Sequence, residues 1–339
     1  MKEEVLIAGA GPIGLACAIS ARRRGLNPLV IDAGAIAHAI VRYPVGMVFF
    51  TTPERLEIGG HPLVCAGPKA TREEALKYYR GIVRAEGLRV RTFTRLTGAR
   101  RANGSVECRL AGRRGEERVG CDRLVFATGY FDHPNLLGVP GEELAHVSHY
   151  GEEPHVTAGR EVVIVGAKNS AVEQALGCYR AGARVTLVAR GPALKPSVKY
   201  WLKPDLENRI KAGEIAARWS TTVERIEPDA VVVRGPGGES ARLPADRVYL
   251  LTGYHPDFEL FRAAGIELEP ESGRPTLDPH TLETSVPGVH MAGSITAGKS
   301  ISEIFIENGR YDGEKIFGDP ESRVRAEAAY QRGGREIGE

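Results

Sequence analysis

Residues 5–32 read VLIAGAGPIGLACAISARRRGLNPLVID, and their pattern decides the fold class. The apolar run Val5 to Ala8 has the length and composition of a buried strand and stops at Gly9. Gly9, Gly11 and Gly14 then fall at the G-x-G-x-x-G spacing, with Pro12 and Ile13 between the last two, and a small-residue helix, LACAISA, follows. Gly9 allows the tight turn, Gly11 lets a phosphate approach the backbone, and Gly14 lets helix and strand pack closely. Free N–H groups at the helix start, with roughly half a unit of positive charge, then face an anion. Asp32 closes a second strand, where a carboxylate accepts hydrogen bonds from a ribose diol. Strand, glycine turn, helix and terminal acid together predict a βαβ unit that holds a dinucleotide.

The pattern recurs. Laid on Val5, Val162 starts VVIVGAKNSAVEQALGCYRAGARVTLVARG (162–191), which tracks residues 5–34 without a gap. Gly166 falls on Gly9, Ala171 on Gly14, Gly182 on Gly25 and Gly191 on Gly34. Two such units imply two dinucleotides. The copies differ where cofactor choice is decided. Lys168 replaces Gly11 and so puts a side chain at the point of closest phosphate approach, with Asn169 and Ser170 beside it. Ala189 replaces Asp32, and Arg190 follows. Losing the acid and gaining a cation suits a ribose 2′-phosphate, so the second unit is expected to take NADPH. Lys195 and Lys199 lie close enough in sequence for one of them to share that phosphate. One charge-assisted contact, about 1.5–3 kcal/mol, corresponds to roughly ten- to a hundredfold preference over NADH.

The chain has 339 residues, 42% hydrophobic and 26% charged, enough for two domains with substantial cores. A net charge of +2 argues against nucleic acid or a membrane surface as partner. No apolar run approaches the roughly eighteen residues needed to span a bilayer. Glu3 and Glu4 stand where a signal peptide carries positive charge, so a cytoplasmic location is expected. Five cysteines, Cys17, Cys65, Cys108, Cys121 and Cys178, form no C-x-x-C pair and no metal-ligand spacing. Neither a metal site nor a disulfide framework is expected, and Cys17 and Cys178 read as small buried hydrophobes.

Two further segments, RLVFATGYFDHP (123–134) and RVYLLTGYHPDF (247–258), are apolar strands ending in Thr-Gly-Tyr, where the chain can cross between domains. They divide this α/β chain into residues 1–133, 134–253 and 254–339: a first dinucleotide domain in two parts, with the second inserted between them. RVRTFTRLTGARR (89–101), VECRLAG (106–112) and ERVGCDRL (117–124) alternate in polarity, which predicts a small antiparallel meander on the first unit. The charged tail 323–339 is expected to fray.

Taken together, the two Rossmann units, the strand ends Ala127-Thr128-Gly129 and Leu251-Thr252-Gly253, and the late strand 288–293 resemble the two-dinucleotide flavoproteins of the low-molecular-weight thioredoxin reductase type. Within that group YPVGMVFFTTPERLEIGG (43–60), VSHY (147–150), VGAKNSAVEQAL (165–176), SVKYWLKPDLENRIKAGEI (197–215) and EIFIENGRYDG (303–313) resemble the bacillithiol disulfide reductase family. The resemblance implies FAD in the first unit, NADPH in the second, an NADPH domain able to rotate, a homodimer, and reduction of a low-molecular-weight disulfide. A small thiol-dependent redox protein is a further candidate partner. Three departures stand out. The redox C-x-x-C of thioredoxin reductases is absent; Ile13 stands where bacillithiol disulfide reductases often carry Cys; and Ser294 stands where thioredoxin reductases place an Asp against the flavin ribityl chain.

On this reading FAD is held by Gly9, Gly11, Pro12, Ile13, Gly14 and Asp32, and then by Thr128, Gly129, Gly293 and Ser294. A helix beginning near Ser302 is expected to aim its amino end at the flavin, and Tyr43, Phe49, Phe50, Thr51 and Thr52 to wall the ring. NADPH is expected on Gly166, Lys168, Asn169, Ser170, Ala171, Arg190, Lys195, Thr252 and Gly253. No catalytic residue is identified; His133 and His149 are the candidates for donating a proton to a leaving thiolate. Without a redox cysteine, the disulfide must be attacked directly from reduced flavin or by a small thiol bound in trans. A ferredoxin reductase-like or monooxygenase-like NADPH flavoenzyme, and a flavin redox sensor with little turnover, stay open as alternatives.

Overall fold

The structure, a computed structural model, describes residues 2–300 and 303–335. The contacts divide the chain into two units, one made of Met1–Val41, Thr51–His133 and Tyr254–Glu339, the other of Arg42–Phe50 and Pro134–Gly253.

The first unit is built on one sheet of β1 (Lys2–Ala8), β2 (Pro28–Ile31), β3 (Arg89–Arg91), β4 (Thr94–Ala102), β5 (Ser105–Gly112), β6 (Gly115–Phe126) and β15 (Val289–Met291). Its long strand β6 serves two kinds of pairing. Its last half runs parallel to β1 on one side, while the other side pairs antiparallel with β5 through Cys121 and then parallel with β15 from Leu124. The expected meander is therefore present as β4–β5–β6. The run 89–101 is not one strand, however. It breaks at Thr92 and Phe93, with Phe93 at φ 53°, because β3 extends the parallel sheet beside β2 whereas β4 reverses direction into the meander.

Helix Pro12–Arg23 carries the chain from β1 back to β2. Pro12 occupies its first turn, where no N–H is needed, and Leu15, Ala16, Cys17, Ala18 and Ile19 are buried beneath it. Its small residues also admit a second helix, Asp312–Phe317: a Cβ on Gly313 would lie 2.9 Å from both Ala16 O and Cys17 Cα. The tail departs from expectation. Residues Pro320–Arg335 form a helix, held by the pair Lys315–Glu327 at 2.5 Å, Lys315 over the Tyr330 ring at 4.5 Å and the buried Ala326. The helix expected near Ser302 is shorter and later, at Ile306–Gly309, and Ser302 lies outside the described residues.

The second unit has a five-stranded parallel sheet of β7 (Val147–Ser148), β8 (Glu161–Val165), β9 (Arg184–Val188), β10 (Ala216–Arg218) and β14 (Arg247–Leu250), in the order β10-β9-β8-β14-β7. Runs such as VVIV and VTLV suit a sheet covered on both faces. Helix Asn169–Arg180 covers one face through Ala171, Val172, Ala175 and Leu176. The other face packs on a three-stranded antiparallel sheet, β11 (Thr222–Glu227), β12 (Ala230–Arg234) and β13 (Ser240–Pro244), which the motif reading passed over. Residues 42–50 belong here rather than with the first unit. Lys199 Nζ donates to Val48 O at 3.0 Å, Phe50 stacks on Trp201 at 5.7 Å, and the Arg42 guanidinium lies over Tyr150 at 4.6 Å. Among the described residues no helix is long and apolar enough to cross a membrane.

Candidate functional site

The turn after β1 is a tight one. Gly9 sits at φ 120°, where a Cβ would strike Ala127 O at 2.1 Å, and a Cβ on Gly14 would strike Gly9 O at 1.9 Å. Gly11 differs from both: nothing in the protein lies within 4 Å of its would-be Cβ. Two glycines are thus required by the protein's own packing, and the third keeps open the side where a ligand would lie. Asp32 fastens the turn, accepting from Ala10 N through Oδ2 and from Gly34 N through Oδ1, each at 2.7 Å. Burial pushes its carboxyl above the usual range, against the pull of those two N–H donors.

Beside this turn opens a cleft of about 350 Å³, lined by Gly9, Asp32, Thr128, Gly129, His133 and Asp257 among others. Thr128 Oγ1 is buried and has no hydrogen-bond partner among the described residues. An orphaned hydroxyl, an unobstructed glycine and free helix-start N–H groups fit a dinucleotide that supplies the missing partners. The cleft also includes Thr94–Thr97 and the helix Phe258–Ala263, which sequence reading missed. Asp257, the N-cap that accepts from Leu260 N at 3.0 Å, was the available signal for that helix.

Below the turn, Ile13 packs on Gly293 and Gly309, whose would-be Cβ positions lie 3.2 and 3.0 Å from its side chain. Gly293 N donates to Asp312 Oδ2 at 2.7 Å, so the backbone of the Gly293-Ser294 turn is held by a carboxyl that is only 3% exposed. Burial pushes Asp312 up to about 7, with the Gly293 N–H and Lys315 opposing that rise.

The second cradle repeats the first. Gly166 has φ 148° and its would-be Cβ meets Leu251 O at 2.5 Å and Ala171 Cβ at 3.0 Å, so this position, like Gly9, is closed to any side chain. Lys168 caps the helix Asn169–Arg180 in extended conformation with an exposed side chain, and Ser170 follows in the first turn. The Asn169 amide is engaged within the loop, where its Oδ1 accepts from Lys199 N at 2.8 Å and its Nδ2 donates to Ser197 O at 3.2 Å. Lys195 N donates to Ala167 O at 3.1 Å, which brings its exposed side chain to the same loop. Arg190 is exposed at the end of β9. Thr252 Oγ1 donates to Asn135 O at 2.7 Å, and Gly253, at φ 98°, accepts from Asn135 N.

The two histidine candidates are in different units. His133 lines the first cleft, 3.6 Å from Asp257, whereas His149 lies 3.6 Å from Glu142 in the second unit. Tyr43 and Phe50 likewise belong to the second unit, while Thr51 belongs to the first. The thiols are withdrawn: Cys17, Cys108, Cys121 and Cys178 are buried, and burial pushes Cys17 and Cys178 up. Cys108 and Cys121 face each other at 3.9 Å, and that contact, followed by burial, pushes Cys108 up.

Two Rossmann cradles with a strand-end Thr-Gly after each define a two-dinucleotide oxidoreductase. Residues 6–293 match the family model described as pyridine nucleotide-disulphide oxidoreductase, and the chain belongs to that family. It is 38% identical over 316 residues, 93% of this chain and 97% of the other, to bacilliredoxin reductase Bdr of Bacillus subtilis. Among solved structures it is similar to the bacillithiol disulfide reductase Bdr of Bacillus cereus, at TM-score 0.91 and 38% identity over 98% of this chain and all of that one. The Staphylococcus aureus counterpart has TM-score 0.89 and 33% identity over 98% and 99% of the two chains. The chain is thus an FAD-dependent oxidoreductase of the disulfide reductase type that uses NADPH.

Proposed function

We propose that the substrate is bacillithiol disulfide or a closely related small disulfide, consumed as NADPH + H⁺ + RSSR → NADP⁺ + 2 RSH. Likeness along nearly the whole chain to two solved reductases named for that substrate carries the reading, whereas the Bacillus subtilis relative is named for a protein, bacilliredoxin. Bound FAD supplies acceptance of hydride and onward delivery of two electrons. The chain supplies position. Gly9, Gly11, Pro12, Ile13, Gly14 and Asp32 hold the FAD pyrophosphate and ribose against the start of helix Pro12–Arg23, and Thr128 offers its hydroxyl. Gly293 and Ser294, held by Asp312, face the flavin side of the cofactor. Gly166, Lys168, Ser170, Lys195 and Arg190 hold NADPH, with Arg190 on the 2′-phosphate, and Asn169 shapes the loop beside it. Four of the five thiols are buried and the sequence has no C-x-x-C pair, so the dithiol relay of the thioredoxin reductase route is closed. A homodimer is part of the same reading, on family resemblance, and light scattering of the holoprotein tests it.

The deciding experiment is anaerobic turnover with NADPH against bacillithiol disulfide, coenzyme A disulfide, thioredoxin and ferredoxin. Consumption of NADPH with the first, and little with the proteins, is the expected outcome. Turnover with ferredoxin alone would replace this reading by the one its 28% identical relative, the ferredoxin–NADP reductase of Ignicoccus hospitalis, suggests.

A further inference from the structure

The first unit has a second cleft, of about 410 Å³, whose lining shares no residue with the one beside the glycine turn. Arg101 from β4, Arg123 from β6 and Arg323 from the closing helix converge on it, together with His290 from β15. Three separate stretches of chain thus deliver guanidinium groups to one hollow. Among the described residues their donors are largely open. Arg101 Nη1 donates to Pro287 O at 2.9 Å and Arg323 Nε to Lys315 O at 3.0 Å, which leaves the remaining N–H groups of both. Arg123 lies over the Phe317 ring at 5.9 Å and pairs with no carboxylate among the described residues. The two acids that line the cleft are already engaged: Asp122 with Lys2 at 2.8 Å, and Glu283 with Gly288 N at 2.7 Å.

We propose that this cleft binds a small anion carrying two or more negative charges, of the phosphate monoester or pyrophosphate type, and that His290 takes up a proton as it binds. Guanidinium forks match phosphate oxygens in geometry and keep their charge at all working pH values. His290 is the floor of the site, 6% exposed, with Nδ1 3.1 Å from Thr281 O, so its other ring nitrogen is the one left for a ligand. Burial holds the imidazole below its ordinary range; Arg123 and Arg323 add to that depression, while Glu283 and the Thr281 carbonyl oppose it. An anion between the arginines cancels their repulsion and adds an acceptor, so the imidazole is more readily protonated in the complex. Binding then strengthens as pH falls through the histidine range.

Calorimetric titration of the FAD-loaded protein with inorganic pyrophosphate tests this, at about pH 5.5 and about pH 8, either side of that range. Using buffers of different ionisation enthalpy reads proton uptake directly. One site per chain is expected, tighter at the lower pH, with net proton uptake. Arg123→Gln and Arg323→Gln each weaken it about ten- to a hundredfold, and His290→Asn removes the excess proton uptake while the flavin spectrum is kept. The two arginines sit on separate elements, so failure of one variant to fold leaves the other as the test. No saturable binding, or binding undiminished in a folded arginine variant, overturns the proposal; undiminished binding that is lost on Arg190→Ala assigns the anion to the NADPH cradle instead.

Discussion

Asp312 accepts the Gly293 N–H while almost wholly removed from water, and its protonation is therefore tied to the fold. Its native pKa, about 7, is raised above the roughly 3.9 of an unfolded aspartate. The folded chain thus holds more protons than the unfolded chain between these values, and stability falls as pH rises through that window, by at most about 4 kcal/mol. Asp312→Asn keeps an acceptor without the charge. Urea unfolding across pH 5 to about 8 is expected to show a flatter dependence in this variant than in the wild type, and equal slopes would remove Asp312 as the cause. Arg190→Ala is expected to reduce the preference for NADPH over NADH roughly ten- to a hundredfold, read as a ratio of kcat/KM values. At this scale the sequence was a partial guide. Asp32 is legible as the acid at the end of β2, but not its two bonds to Ala10 and Gly34, because those depend on how the turn folds over it. Asn169 looks like a cofactor ligand by position, yet its amide is engaged by Ser197 and Lys199, almost thirty residues away.

Among the elements, the glycine turns make the sharpest predictions. Gly14→Ala forces a methyl into backbone at 1.9 Å and is expected to cost several kcal/mol, a loss visible in thermal unfolding even without cofactor. Gly11→Ala meets nothing in the protein, so the cofactor-free form should keep its melting temperature while FAD affinity falls; an unchanged affinity by fluorescence titration would put the pyrophosphate elsewhere. Element type and the internal repeat were readable because local spacing controls both: Gly9 and Gly166, and Gly25 and Gly182, share positive φ in the matched copies. Segment 42–50 was not readable. Its grouping with the second unit rests on Lys199 and Trp201, some hundred and fifty residues away, and no local pattern encodes a partner at that distance. The tail misled for the opposite reason, since its charges looked solvated while one of them, Glu327, pairs with the buried Lys315.

For the whole molecule, each cradle belongs to its own unit, so each can be disabled by itself. Gly166→Ala, with its Cβ 2.5 Å from Leu251 O at φ 148°, should keep bound FAD and its reduction by dithionite but lose rapid reduction by NADPH in stopped flow. Loss of both would mean that the second cradle supports the first.

The withdrawn cysteines have a consequence for how such an enzyme ages at its work. A catalyst bathed in disulfides and thiols is exposed to mixed-disulfide capping, the slow self-poisoning that any accessible thiolate invites. Here only Cys65 is more than buried, and burial together with Glu74 and Glu54 holds even that thiol above its ordinary range. Native-state alkylation followed by mass spectrometry should therefore mark Cys65 alone, with turnover intact. Such immunity lets the protein stand in a pool of oxidised thiols without becoming part of it.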